Sequence, residues 1–265
     1  MPNKTDLIDR IETFLKQERE LYGSFDASTF DDLPEPQPEQ APPTEPAITP
    51  PEMEKPDASP PSSESADAAQ PSTTTDLNSV STLDELHSVC LISNELRTDL
   101  EGTNLVFGVG NPDADLMLIG EAPGENEDKQ GEPFVGRAGQ LLNKILEAIH
   151  FKREEIYISN ILKHRPPKNR DPLPEERQRS LPYLYRQIEI INPKLILCLG
   201  RISAQTLLDT NKPMKAFRGS FHPFMQDREL MVTFHPAALL RNPAWKRDTW
   251  EDVQKLRARY DEVTS

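Results

Sequence analysis

Cysteine is scarce in this sequence, with 2 residues among 265. Cys90 and Cys198 lie far apart, and no Cys-x-x-Cys pair occurs. A disulfide framework needs an even set of paired cysteines, and a zinc or iron–sulfur site built only from thiolates needs several of them together. We therefore expect neither kind of site.

Long apolar runs and several familiar catalytic motifs are also absent. No stretch approaches the roughly 18 apolar residues of a membrane span, and MPNKTDLIDR at the start lacks the basic-then-apolar order of a signal peptide. There is no serine nucleophile elbow, no GxxxxGK[ST] loop and no GxGxxG turn. We expect a soluble cytoplasmic protein without membrane contact, associated with the nucleoid if its source is a prokaryote.

The negative charge is unevenly distributed along the chain. The net charge is −14, and residues 1–80 hold 17 acidic but only 5 basic side chains. The remaining residues are nearly balanced, with 25 basic and 27 acidic side chains. The acidic composition therefore describes the first third of the chain and does not exclude a nucleic-acid partner for the rest.

The composition divides the chain into three regions. Residues 1–30 contain a short amphipathic helix, which we expect either to dock on the main domain or to bind a protein partner. Residues 31–82 are rich in proline and acidic side chains and predict a disordered linker, because large apolar residues are nearly absent. Residues 83–265 have a globular composition and the size of one domain.

Short apolar segments alternate with amphipathic ones in this domain. The predicted strands are 116–120, 156–162, 194–200 and 231–235, and the predicted helices are 138–150, 174–191, 202–208 and 244–260. Apolar strands separated by helices indicate an α/β fold, with a four-stranded, mostly parallel sheet covered on both faces.

Three of the four strands end in polar segments, which should meet at one edge of a parallel sheet, where such folds bind ligands. These segments supply carboxylates, an amide, an imidazole, an aromatic ring and a basic loop: Glu121, Glu125, Glu127, Asp128, Asn160, His235, Phe134, Lys163, Arg165, Lys168 and Arg170. A carboxylate can stabilise a sugar cation or orient water, and a histidine can donate to a departing anion. The set therefore suits cleavage of a bond between a sugar and a base.

Four motifs carry a resemblance to a known family. GEAPGENED, PFVGRAG, YISNILKHRPPKNR and HPAALLR occur in this order and closely resemble those of the family 4 uracil-DNA glycosylases. The resemblance covers about residues 85–262. It implies a three-layer α/β/α sandwich around a four-stranded parallel sheet. It also implies removal of uracil from DNA by hydrolysis of the N-glycosidic bond, as in base excision repair.

The resemblance implies a role for each matching residue. Glu127, His235 and Glu121 would be catalytic, with Glu127 acting on water or the sugar cation and His235 on the uracil anion. Phe134 would stack on the extruded base, Asn160 would bind its edge, and Ala122 and Gly124 would shape the pocket. The implied DNA contacts are Arg137, Lys163, Arg165, Lys168, Arg170, Leu239, Leu240 and Arg241.

The sequence departs from the family at the iron–sulfur cluster. Family 4 members typically hold a four-iron–four-sulfur cluster with four cysteines, whereas His164 and Ser180 stand at two of these places. The first pair is reduced to Cys90, with Ser93 or Asn94 near the second place, and Cys198 lies in a predicted buried strand. One thiolate cannot hold such a cluster, so we predict no cofactor and no metal.

Two other functions remain open at this point. The domain could be a catalytically degenerate module that binds DNA without cleaving it. It could also be a nucleosidase that acts on small sugars, for which paired carboxylates suffice. The glycosylase interpretation predicts a monomer whose substrate is DNA containing uracil.

Overall fold

The computed structural model describes residues 76–97 and 102–265. The helix predicted within residues 1–30 and most of the predicted linker lie outside these residues. In the part of the chain that is described, no helix is long and apolar enough to cross a membrane.

One six-stranded mixed sheet forms the centre of the fold, in the order β1-β3-β2-β4-β6-β5. The strands are β1 (Val109–Gly110), β2 (Leu116–Gly120), β3 (Tyr157–Asn160), β4 (Leu195–Leu199), β5 (Phe221–Phe224) and β6 (Arg228–Thr233). The four central strands are parallel and are the four predicted from sequence. The prediction of four strands missed the two antiparallel edge strands β1 and β5.

Eight α-helices are described: α1 (Leu83–Ile92), α2 (Asn94–Arg97), α3 (Glu125–Gln130), α4 (Arg137–Ala148), α5 (Pro174–Ile191), α6 (Arg201–Leu207), α7 (Pro236–Arg241) and α8 (Lys246–Thr264). Local chemistry sets several of their ends. Thr82 and Glu85 form a capping box at the start of α1, and α5 begins with Pro174, which needs no hydrogen-bond acceptor in the first turn. Asn192 ends α5 in the left-handed conformation.

The sheet is covered on both faces, because alternate side chains of the central strands point to opposite sides. Met117 and Ile119 of β2 belong to a core cluster that includes Leu184 and Ile188 of α5. Leu116 and Leu118 belong to a second cluster with residues of α4 and α8, namely Leu142, Leu146, Val253 and Leu256. The α/β/α sandwich is confirmed.

The structured domain begins earlier than residue 83. Asp76 caps a 3₁₀ turn at Leu77–Ser79, and Val80 is buried in a third apolar cluster with Leu86 and Cys90. Arg186 of α5 donates from Nε to the Val80 carbonyl at 2.6 Å. Proline and serine dominate the sequence before Val80, so this single apolar anchor is not visible from the composition.

Candidate active site

The carboxyl ends of the parallel strands bring the predicted polar groups together. Gly120, the last residue of β2, pairs in register with Asn160, the last residue of β3. On the other side of β4, the Gly200 amide donates to the Thr233 carbonyl at 2.9 Å, and His235 follows two residues later. The shape of the sheet thus places Asn160 and His235 at the same edge.

Asn160 is almost fully buried, with 2% of its surface exposed. Its side-chain oxygen Oδ1 is buried and has no hydrogen-bond partner among the described residues. A buried polar atom without a partner is costly, and such atoms are rare unless a ligand or water satisfies them. Asn160 Oδ1 is therefore an acceptor for which the described part of the protein provides no donor.

Phe134 lies directly beside this amide. A Cβ atom built on Gly120 would collide with Asn160 Oδ1 and would lie 2.7 Å from Phe134 Cζ. Glycine at position 120 is therefore what allows the ring and the amide to approach each other. The Phe134 backbone adopts a left-handed conformation, with φ of 55°, which is uncommon for a residue other than glycine.

Glu127 is held by the loop that carries Phe134. Its Oε1 accepts hydrogen bonds from the backbone amides of Val135, at 3.0 Å, and Gly136, at 2.8 Å. Gly136 is the N-cap of α4, so the carboxylate lies at the positive end of that helix. Its other oxygen, Oε2, faces Gly124, the N-cap of α3. One carboxylate oxygen is thus fixed by two backbone amides, and the other faces the turn at Gly124.

His235 is the N-cap of α7, and its ring stacks on Phe134 with centroids 5.4 Å apart. Its Nδ1 accepts a hydrogen bond from the Ala237 amide at 3.1 Å. Desolvation, and then the charge of Arg241, lower the pKa of His235 to about 4. The ring is therefore neutral near pH 7, and because Nδ1 is an acceptor, the proton is on Nε2.

Glu121 follows Gly120 directly and is partly buried. Desolvation raises the pKa of its carboxyl to about 7, and Asp171 adds to the rise. Arg201, Arg177 and Arg241 oppose it. A carboxyl whose pKa is shifted close to neutral pH is a common property of functional sites.

The other two predicted pocket residues lie in the same turn. Ala122 is partly buried against the core beneath α5, and Gly124 begins α3. A Cβ atom at Gly124 would lie 2.7 Å from Glu127 Oε2, so glycine leaves room for that carboxylate.

The basic loop, residues 163–170, holds four cations that were predicted to contact DNA. They differ in burial and in their partners. Lys163 is buried, with 1% exposed, and Nζ contacts four oxygen atoms of the protein. Arg170 forms a two-fold ion pair with Glu176, at 2.7 and 2.8 Å. The prediction of Lys163 as a DNA contact was wrong, because the sequence shows charge but not the oxygen atoms that the fold places around it. Arg170 stays a predicted contact, since 37% of its side chain is exposed beside the ion pair.

The other two cations of the loop differ from each other in exposure. Arg165 is partly buried, donates to the side chain of Asn169 at 2.7 Å and lies 3.7 Å from a carboxylate oxygen of Glu125. Lys168 is exposed in a left-handed backbone conformation. These two side chains remain available as predicted DNA contacts.

The predicted contacts outside the loop are also divided. Arg137 is exposed at the start of α4, Arg241 is exposed at the end of α7, and Leu240 is partly exposed. Leu239 is 1% exposed and belongs to the interior. The prediction of Leu239 as a DNA contact was therefore wrong, because α7 turns that side chain inward and Leu240 outward.

Comparison with known proteins identifies the family. A family model described as "Uracil DNA glycosylase superfamily" matches residues 107–254. This chain belongs to that superfamily.

Similar proteins of known class are type-4 uracil-DNA glycosylases. The protein of Archaeoglobus fulgidus is 42% identical over 161 residues, covering 58% of this chain and 81% of that protein. The protein of Thermotoga maritima is 43% identical over 162 residues, covering 60% and 84%. That of Sulfurisphaera tokodaii is 44% identical over 163 residues, covering 58% and 74%.

These relatives correct the prediction of no cofactor. Type-4 enzymes are iron–sulfur cluster enzymes, so the family to which the chain is similar contradicts that prediction. The count of two cysteines, and the lack of a metal-binding group among the described residues, are not evidence that a cluster is absent.

The described residues do not themselves provide a four-thiolate site at the family positions. His164 is buried, with Nδ1 3.0 Å from Thr103 Oγ1. Ser180 donates to the Ile161 carbonyl at 2.6 Å. Ser93 shares a 2.7 Å hydrogen bond with Tyr183. Cys90 is buried, which raises the pKa of its thiol to about 11. No step proposed below passes through a cluster.

Three residues of the site escaped the sequence analysis. Gly200 has φ of 99°, and a Cβ atom there would lie 2.9 Å from the Cβ of His235. Ser159 and Gln187 surround the Lys163 ammonium. Gly200 could have been found as a glycine at a strand-to-helix turn, whereas nothing in the sequence indicates that Gln187 faces Ser159.

Proposed function

We propose that this chain hydrolyses the N-glycosidic bond of uracil in DNA, releasing the base and leaving an abasic site. The observation that supports it most is the buried, unpartnered Oδ1 of Asn160 beside the ring of Phe134. Uracil presents an N3–H donor to that oxygen, and its O4 accepts from the amide nitrogen of the same side chain. Cytosine presents an acceptor and a donor at these places, so the pocket would leave buried groups mispaired.

The leaving group is stabilised by His235. As the glycosidic bond breaks, negative charge develops on the uracil ring. The neutral imidazole, with its proton on Nε2, donates a hydrogen bond to that charge. Stacking of His235 on Phe134 fixes the ring plane.

Glu127 acts on the sugar cation or on the attacking water. Its Oε1 is occupied by the amides of Val135 and Gly136, so the carboxylate cannot turn freely. Oε2 is left to orient a water molecule or to stabilise the oxocarbenium ion. Glu121, whose pKa is raised to about 7, adds a second carboxyl at the edge of the pocket.

The exposed cations around the pocket would bind the DNA backbone. Arg137, Lys168 and Arg241 belong to this group, and the partly buried Arg165 would join them. Leu240 would occupy the space that the extruded base leaves. We propose that the protein acts as a monomer in the compartment that holds its DNA substrate, which in a prokaryote is the cytoplasm. The helix predicted within residues 1–30 would bind a protein partner.

A release assay tests the function. Purified protein is mixed with single- and double-stranded DNA carrying one uracil, and strand scission at the abasic site is measured after alkali treatment. We expect scission at uracil and none in the matched thymine DNA. Binding without release, at micromolar protein, would favour the degenerate module, and release from free deoxyuridine would favour the nucleosidase.

The Asn160→Asp variant tests the assignment of the base-binding residue. Aspartate replaces the NH2 donor by an acceptor, so we expect slower release of uracil and a gain of release from cytosine. Unchanged selectivity between uracil and cytosine would remove Asn160 from the pocket.

A further inference from the structure

Lys163 is enclosed by the protein and its ammonium contacts four oxygen atoms. Nζ donates to Ser159 Oγ at 2.6 Å and to Gln187 Oε1 at 2.7 Å. It also donates to the main-chain carbonyls of Phe107 and Asn160, each at 3.2 Å. None of the four acceptors is a carboxylate.

A buried lysine without an acidic partner is unusual, because burial disfavours the charged form. Desolvation lowers the pKa of Lys163 to about 7. A leucine or methionine would fill the same volume at no such cost. Lysine at this position therefore costs stability relative to an apolar side chain. Its hydrogen bonds suggest a role other than stabilising the fold.

Those hydrogen bonds converge on the end of β3. The chain turns after Asn160, and the Lys163 side chain folds back onto Ser159 and Asn160. Backbone bonds hold the same turn on its other side, where the amides of Ile161 and Leu162 donate to the carbonyls of Gly120 and Glu121 at 3.0 and 3.1 Å.

The side chain of Asn160 has no comparable support at its acceptor atom. Its Oδ1 lacks a partner among the described residues, so this atom is aimed by the backbone that carries it. The Asn160 carbonyl is one of the four acceptors of Lys163. Gln187 extends the network, since its Nε2 donates to the Tyr157 hydroxyl at 3.0 Å and to the Phe107 carbonyl at 3.1 Å.

We propose that Lys163 is a positioning residue that fixes the backbone of Asn160, and with it the direction of the base-reading amide. This inference rests on the proposed function, because it assumes that Asn160 contacts the base. Loss of the ammonium would leave the uracil edge misaligned while the other pocket residues stay in place. Small misplacements of a positioning group can cost about 10²-fold in rate.

The test is a double-mutant cycle between Lys163→Met and Asn160→Ala. Single-turnover rates are measured with excess enzyme on DNA carrying one uracil. We expect Lys163→Met to slow release by about 10- to 100-fold in the wild-type background. In the Asn160→Ala background we expect it to cost less than about 2-fold, because the residue through which Lys163 acts has been removed.

Arg228→Met is the matched control for loss of a buried cation. Arg228 is 7% exposed, begins β6 at the opposite end of the sheet and donates to Asn192 Oδ1 at 2.7 Å. We expect it to lower thermal stability while leaving the rate within about 2-fold of wild type. An equal loss of rate in Arg228→Met and Lys163→Met, at equal stability, would overturn the proposal.

Equal rate losses from Lys163→Met in the two backgrounds would also overturn it. If Lys163→Met does not fold, Ser159→Ala, which removes the 2.6 Å acceptor, is run through the same cycle with the same criteria. Failure of the proposed function is distinguishable, because wild-type protein would then release no uracil. A fully active Asn160→Ala would leave the function intact but would overturn the proposal for Lys163, since Asn160 would then not contact the base.

Discussion

Asn160 at the end of β3 and the cations of the basic loop, residues 163–170, lie close in sequence, yet the fold pairs them differently. Asn160 buries an oxygen atom that has no partner among the described residues. Three residues later, Lys163 has four acceptors, and Arg170 has both oxygens of Glu176. A buried acceptor without a partner requires an explanation such as a ligand or a water molecule, whereas the contacts of Lys163 and Arg170 are already supplied by the protein. The charge of a side chain in the sequence does not reveal this difference.

The largest effect should come from Glu127 in the pocket. We expect Glu127→Ala to lower the single-turnover rate of uracil release by about 10²- to 10³-fold, because an electrostatic group fixed at the reacting centre is lost. The control is Glu125→Ala, two residues earlier, whose carboxylate is exposed and pairs with Lys129 at 2.6 Å. Equal losses in both variants would contradict the assignment.

Glu121 should make stability depend on pH. Its pKa is about 7 in the folded protein, against an ordinary value of 4.5. Between these values the folded protein retains a proton that the unfolded chain has released, so the free energy of unfolding falls as pH rises. We expect Glu121→Gln to be more stable than wild type by about 1–3 kcal/mol at about pH 8 and equal to it near pH 4, in urea titrations. The same difference at both pH values would rule this out.

Arg170 should affect stability and not DNA binding. Arg170→Ala removes a two-fold ion pair with a buried carboxylate, and we expect a lower midpoint of urea unfolding than in wild type. Because its guanidinium is already occupied, the salt dependence of DNA affinity should not change. A reduced salt dependence in this variant would return Arg170 to the DNA interface.

Lys168 should affect DNA binding and not stability, and its effect should be the smallest of the four. It is exposed in the same loop, so Lys168→Ala should leave stability unchanged. We expect the slope of log affinity against log salt to fall by about one unit if one phosphate contact is lost. An unchanged slope would leave the basic loop without a backbone contact at this position.

The central sheet could be predicted from sequence, and the edge strands could not. LMLIG of β2 is a run of apolar residues, which is typical of a strand buried on both faces. β1 has two residues, and β5 contains His222 and Pro223, so neither has an apolar alternation to detect. Their pairing depends on partners that only the folded sheet provides.

The sequence predicts which residues meet at the site, because that depends on the topology of the sheet. Parallel strands end at a common edge, so Asn160 and His235 could be expected together, and the structure brings them to Phe134. The direction of individual side chains could not be read from the pattern. Lys163 and Leu239 stand in motifs that also contain exposed cations, Lys168 and Arg241, and both are turned inward by tertiary packing.

Three glycines determine how close the groups of the pocket can come. A Cβ atom added at Gly120 would collide with Asn160, and one added at Gly139 would collide with the Phe134 backbone. One added at Gly200 would collide with His235. The close approach of these groups therefore depends on side-chain atoms that glycine does not have. A methyl group added at any of the three positions would push the groups apart while every reactive side chain is still present.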